Sequence, residues 1–142
     1  MLLDANLLLY AVDETCAEHV GAARWLESVL SGPIRVAFPW QTIGAFLRIV
    51  THPRVYAQPL TAPQAWSFVD DWLQCPTAWI PPTGHHTARI LRSLMIDASV
   101  TGNLTTDAQL AAIAIEHGLA VCSTDTDFAR FPDCRWVNPL TL

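Results

Sequence analysis

The stretch TTDAQLAAIAIEHGLAVCSTDTDF, Thr105 to Phe128, constrains the fold more tightly than any other part of the chain. Its first half carries a helix pattern. Thr106 and Gln109 fit a capping box, Leu110, Ile113 and Ala114 form an apolar face, and Gly118 suits the stop. LAVCS follows as a near-continuous apolar run with no polar alternation. A strand buried on both faces belongs to a parallel sheet covered by helices on each side.

The rest of the chain repeats this alternation. MLL is a short buried strand ending at Asp4, and TCAEHVGAARWLESVLSG is a helix. There Thr15 and Glu18 form a capping box, Val20, Ala23, Leu26 and Leu30 a stripe, and Gly32 the C′ position. IRVAF is a second strand, and WQTIGAFLRIVTHP a helix that stops before Pro53. TAPQAWSFVDDWLQCP is a helix boxed by Thr61 and Gln64 and stopped by Pro76, and AWI is a short strand. HHTARILRSLMIDA is a helix with Ala88, Leu91, Leu94 and Met95 on one side, and RWV a last edge strand. The expectation is an α/β fold in three layers, a central, mainly parallel sheet flanked by helices. With 142 residues and no repeat or linker, one domain over 1–142 is expected.

Composition removes several function classes. No apolar run reaches the roughly 18–20 residues of a membrane span, and no signal-peptide pattern opens the sequence, so a cytoplasmic location is expected. The four cysteines form no C-x-x-C pair, which argues against metal ribbons and thioredoxin-like chemistry; Cys122 reads as a small core residue. All eight basic residues are arginine, which excludes a Schiff-base or P-loop lysine. A formal charge of −5 gives no bulk attraction to nucleic acid, so such an activity must rest on a local site.

That site is marked by acids. In open parallel sheets functional groups gather beyond the carboxyl ends of strands. Asp4 follows one strand, Asp125 follows another with Asp127 close behind, and Asp107 falls in the first turn of a helix. Each has a structural use alone: a cap for Asp4, a favourable helix terminus for Asp107, a turn for Asp127. Together at one edge they would repel one another unless a hard divalent cation neutralised them. Mg²⁺ or Mn²⁺ suits oxygen ligands without His or Cys. With no G-x-S-x-G and no suggestive Cys–His spacing, metal-activated water attacking a phosphodiester is the leading chemistry.

LLDANLLLYA, FLRIVTHPRV, GNLTTDAQLAAIAIEHG and STDTDFARFP together resemble the PIN-domain toxins of bacterial VapBC systems, in particular a mycobacterial-type subgroup. The resemblance runs over nearly the whole chain. It implies a Mg²⁺-dependent endoribonuclease, usually a homodimer, restrained by a cognate VapB-like antitoxin. By motif, Asp4, Asp107 and Asp125 would be metal ligands, Asp127 a further catalytic acid, and Asn6 a support for them. One departure stands out: many relatives carry a glutamate near Ala45, whereas no acid occurs between Glu27 and Asp70 here. That leaves one or two metal ions open, and keeps alive an alternative, a catalytically weakened PIN-like module that binds an antitoxin or RNA.

Other residues carry weaker signals. His85, His86, His52 and His117 lie at helix ends, where structural roles suffice. Arg48 and Arg54 are candidates for RNA phosphates, and Trp66 and Trp72 for core, dimer interface or base stacking. Apolar faces around Phe46, Ile49, Trp66 and Trp72 are expected to offer grooves to an antitoxin, whose arginine could enter the acidic pocket.

Overall fold

The computed structural model describes residues 1–141. Five strands form one sheet: β1 (Leu2–Leu3), β2 (Val36–Ala37), β3 (Ala78–Trp79), β4 (Ala120–Cys122) and β5 (Arg135–Val137). Their order is β3-β2-β1-β4-β5, and every pairing is parallel, with Leu2 beside both Ala37 and Val121. RWV is the edge strand that its position in the sequence suggests.

Six helices cover the sheet: α1 (Ala5–Val12), α2 (His19–Leu30), α3 (Trp40–Val50), α4 (Ala62–Leu73), α5 (His85–Asp97) and α6 (Leu104–Glu116). Side chains of successive strand residues point to opposite faces. Leu3, Val36 and Cys122 therefore join one core with Leu7, Leu26, Phe46 and Val69. Leu2, Ala37 and Val121 join a second with Leu94, Leu110, Ile113 and Phe128. Two cores on two faces explain why LAVCS is apolar throughout rather than alternating. Leu2 and Leu3 are fully buried, each worth roughly 1.5–3 kcal/mol on folding.

Several local expectations shift. The segment after Asp4 is α1, an eight-residue helix that the sequence reading left unassigned. α2 starts only at His19, and Thr15 does not cap it. Thr15 instead gives its backbone N–H and its hydroxyl to Asp13 Oδ1 at 3.0 and 2.6 Å, a local turn that competes with helix initiation. Val20 is exposed, and Ala22 with Leu26 and Leu30 forms the buried face. Gly32 does not adopt positive φ; a Cβ there would lie 3.2 Å from Ser28 O, so close approach accounts for the glycine.

In α5, Thr87 is buried and Ala88 exposed, which turns the packed face by one residue while keeping Leu91, Leu94 and Met95 on it. α6 begins at Leu104, before the Thr106–Gln109 box, with no side-chain cap. Its other end is as expected. Gly118 takes φ 65°, and Leu119 N–H donates to Ala114 O at 2.8 Å, closing a Schellman motif. The Thr61–Gln64 box of α4 is present in both directions. Phe46 is core rather than groove, and Trp72 is 9% exposed with most of its ring in the core: the two rings meet edge-on at 5.0 Å, and Phe38 stacks on Trp72 at 6.1 Å.

Candidate metal centre

The parallel register carries β1 and β4 to the same edge, where Asp4 N–H donates to Cys122 O at 3.0 Å. Asp4 then caps α1, its Oδ1 accepting from Ala5 N–H at 2.7 Å. Its Oδ2 accepts from the Ser123 hydroxyl at 2.6 Å. Ser123 is fully buried, and its hydroxyl also accepts from Asn6 Nδ2 at 3.0 Å and Asp125 N–H at 2.9 Å. One donor and two lone pairs are all used. Asn6 Nδ2 reaches Thr124 Oγ1 as well, at 3.0 Å, while Asn6 Oδ1 is buried without a partner among the described residues.

Asp125 opens the short 3₁₀ turn Thr126–Arg130 and its Oδ1 accepts from Asp127 N–H at 2.8 Å. Asp107 comes from the first turn of α6. Asp107, Asp125 and Asp127 each offer a carboxylate oxygen, all within 4.8 Å of one another. Asp4 stands outside that group but bears on it electrostatically.

The repulsion shows in the acidities. Burial, then the charges of Asp125, Asp4 and Asp127, push the Asp107 carboxyl up to about 6. Burial also raises Asp4, outweighing its bonds from Ser123 and Ala5, and Asp125 adds to the rise. Four negative charges at one edge, one of them pushed toward neutrality, suit a hard cation. The donor set is oxygen only, which suits Mg²⁺ or Mn²⁺.

The other candidates lie elsewhere. His86 Nδ1 is 3.9 Å from Glu116, and His117 Nε2 meets Pro82 O at 2.8 Å, both at the end of α6 opposite Asp107. His52 Nδ1 accepts from Arg54 N–H at 3.0 Å, a turn contact. Arg48 is in the last turn of α3, whose first turn faces the acidic edge. The sequence reading passed over Ser123, Thr124, Trp40 and Arg130. Trp40 opens α3 at the carboxyl edge of β2 and is 59% exposed, unlike Trp72. A hydroxyl two residues before Asp125 was the available signal for Ser123.

The PIN domain family model matches residues 1–133. Ribonuclease VapC37 of Mycobacterium tuberculosis is 42% identical over 142 residues, covering 99% of this chain and 98% of that protein. Ribonuclease VapC33 of the same species is 39% identical over 137 residues, 96% of each. Among solved structures, VapBC2 from Rickettsia felis, bound to a DNA fragment from its promoter, superposes with a TM-score of 0.72. It covers 96% of both chains at 18% identity, a likeness of fold.

Proposed function

The chain belongs to the PIN-domain family, and from that premise we propose that it is the toxin of a type II toxin–antitoxin system, an endoribonuclease hydrolysing RNA phosphodiester bonds with a carboxylate-held Mg²⁺. The observation that carries this reading is the convergence of Asp107, Asp125 and Asp127 within 4.8 Å, with Asp107 pushed up to about 6. Those three would hold the ion, and Asp4 adds a fourth charge to the same wall. Mg²⁺ at such a site supplies activated water and neutralises charge on the scissile phosphate; Mn²⁺ can replace it.

The chain's own residues do the positioning. Asp4 and Asp125 are fixed to one another through Ser123, and Asn6 holds Ser123 and Thr124 in place. Thr42 donates to Leu3 O at 2.6 Å and thereby ties the start of α3 to the strand that ends at Asp4. Trp40, two residues earlier and exposed at that edge, offers a face for an RNA base.

Partners follow from the relatives. We assign the protein a cognate VapB-like antitoxin and a homodimeric state, acting in the cytoplasm as one PIN domain over residues 1–142. Among the described residues no helix is long and apolar enough to cross a membrane. A groove of about 530 Å³ between α1, α2 and α4, lined by Val12, Ala23, Leu26, Phe68 and Trp72, suits an apolar antitoxin segment.

The test is incubation of the antitoxin-free protein with labelled RNA, with Mg²⁺ and with EDTA. Cleavage that needs the metal and disappears in Asp107→Asn supports the assignment. One observation favours the second reading, a weakened binding module: α3 carries no acid to add to the acidic wall. RNA binding without Mg²⁺-dependent cleavage would establish that reading instead.

A further inference from the structure

The acidic wall meets one cation of the chain's own. Arg130 closes the turn Thr126–Arg130, and its Nε lies 3.4 Å from Asp127 Oδ1. Among the described residues no other arginine forms a carboxylate pair. The two side chains are 58% and 43% exposed, so the pair is screened and adds little to the fold. Yet Asp127 also belongs to the group of three converging oxygens. A phosphodiester has to approach this wall in a protein of net charge −5. Arg48 is at the far end of α3 and cannot help it do so.

We propose that Arg130 is a substrate-phosphate-binding residue that competes with a divalent ion for Asp127 and turns to the RNA when the ion takes that carboxylate. The inference rests on the ribonuclease reading above. An ion on Asp127 cancels the attraction that holds the guanidinium and repels it. The long, exposed stem then turns while its base stays three residues from Asp127. The planar fork matches two phosphate oxygens of a strand lying over the metal. Arg130 thus changes partner as the site loads, and no covalent bond is made or broken.

Arg130→Gln keeps most of the stem and removes the charge. Two measurements are made, neither of them cleavage: Mn²⁺ titration of the RNA-free protein by calorimetry, and anisotropy of fluorescent single-stranded RNA at several salt concentrations with Ca²⁺ in place of Mg²⁺. Mn²⁺ should bind the variant about two- to fivefold more tightly, because the competitor for Asp127 is gone. RNA should bind about tenfold more weakly, as loss of a charge-assisted hydrogen bond implies. The slope of log K against log salt should shrink by about 0.7, one phosphate contact on a single strand. Arg130→Lys should restore the slope but only part of the affinity. Tighter Mn²⁺ binding with unchanged RNA affinity and slope would reduce Arg130 to a counter-ion and overturn the proposal. Weaker Mn²⁺ binding would make it a brace for Asp127 and overturn it too. A parent protein that binds RNA through Arg130 without cutting it would end the ribonuclease reading and leave this assignment standing.

Discussion

Ser123 donates its hydroxyl hydrogen to Asp4 Oδ2 across 2.6 Å, and this one contact joins the ends of β1 and β4 at the acidic wall. Because the same hydroxyl accepts from Asn6 and from Asp125 N–H, removing it unpairs Asp4 Oδ2 and Asp125 N–H at once, while Asn6 Nδ2 keeps Thr124. Ser123→Ala should cost about 1–3 kcal/mol in urea unfolding, the price of a buried unsatisfied polar group. RNA cleavage should fall more steeply than stability. A variant that keeps both parent stability and parent activity would show that Asp4 and Asp125 need no such link.

Asp4 has two duties that substitution separates. Asparagine caps a helix about as well as aspartate, so Asp4→Asn should keep α1 and its fold while abolishing RNA cleavage. Asp4→Ala removes the cap as well and should lose a further ~1 kcal/mol or so. Circular dichroism melts beside cleavage assays check both. Parent-level cleavage by Asp4→Asn would leave the residue a cap and nothing more.

The pH dependence follows from Asp107. Its carboxyl is held at about 6 in the folded protein against an ordinary 3.8, so the folded state keeps this proton more tightly than the unfolded chain does. The destabilisation is absent below about pH 4, grows between about pH 4 and 6, and is complete above. Melts in EDTA should therefore show stability falling as pH rises through that window. Asp107→Asn should flatten that part of the profile and raise Tm at neutral pH by about 2–4 °C. Mg²⁺ must displace the same proton, so its affinity should climb up to about pH 6 and then level. An affinity constant from pH 5 to 7 would remove Asp107 from the ligand set.

The thiols should react in a fixed order. Burial pushes the Cys122 and Cys134 thiols up to about 11, which starves both of thiolate at neutral pH, and Cys122 is buried where Cys16 and Cys75 are partly exposed. Iodoacetamide at neutral pH, read by peptide mass spectrometry, should label Cys16 and Cys75 well before the other two. Early labelling of Cys122 would mean that β4 opens readily.

The architecture was legible because it rests on long-range alternation: LAVCS had to lie between two layers, and it does. Capping was less legible, since a Thr-x-x-Glu pattern does not reveal that Asp13 already holds Thr15. ANLLLYA is too short and too evenly apolar to show a helical face, yet Asp4 caps it and two neighbouring helices bury it. Asp107 and Asp125 could be singled out from their places at element ends, and their oxygens do lie together. Ser123 and Arg130 were missed because their importance lies in partners, and partners belong to three dimensions.

Asp4 and Ser123 are separated by 119 positions, and Asp107, Asp125 and Asp127 all come after α5. At about 5–20 residues per second of synthesis, the ribosome delivers the first half of the site long before the second. Until β4 has emerged and paired with β1, there is no wall of charge to gather an ion, so a growing polypeptide is inert toward the message it is being read from. On the ribonuclease reading, a nonsense codon ahead of β4 would leave a fragment without the site.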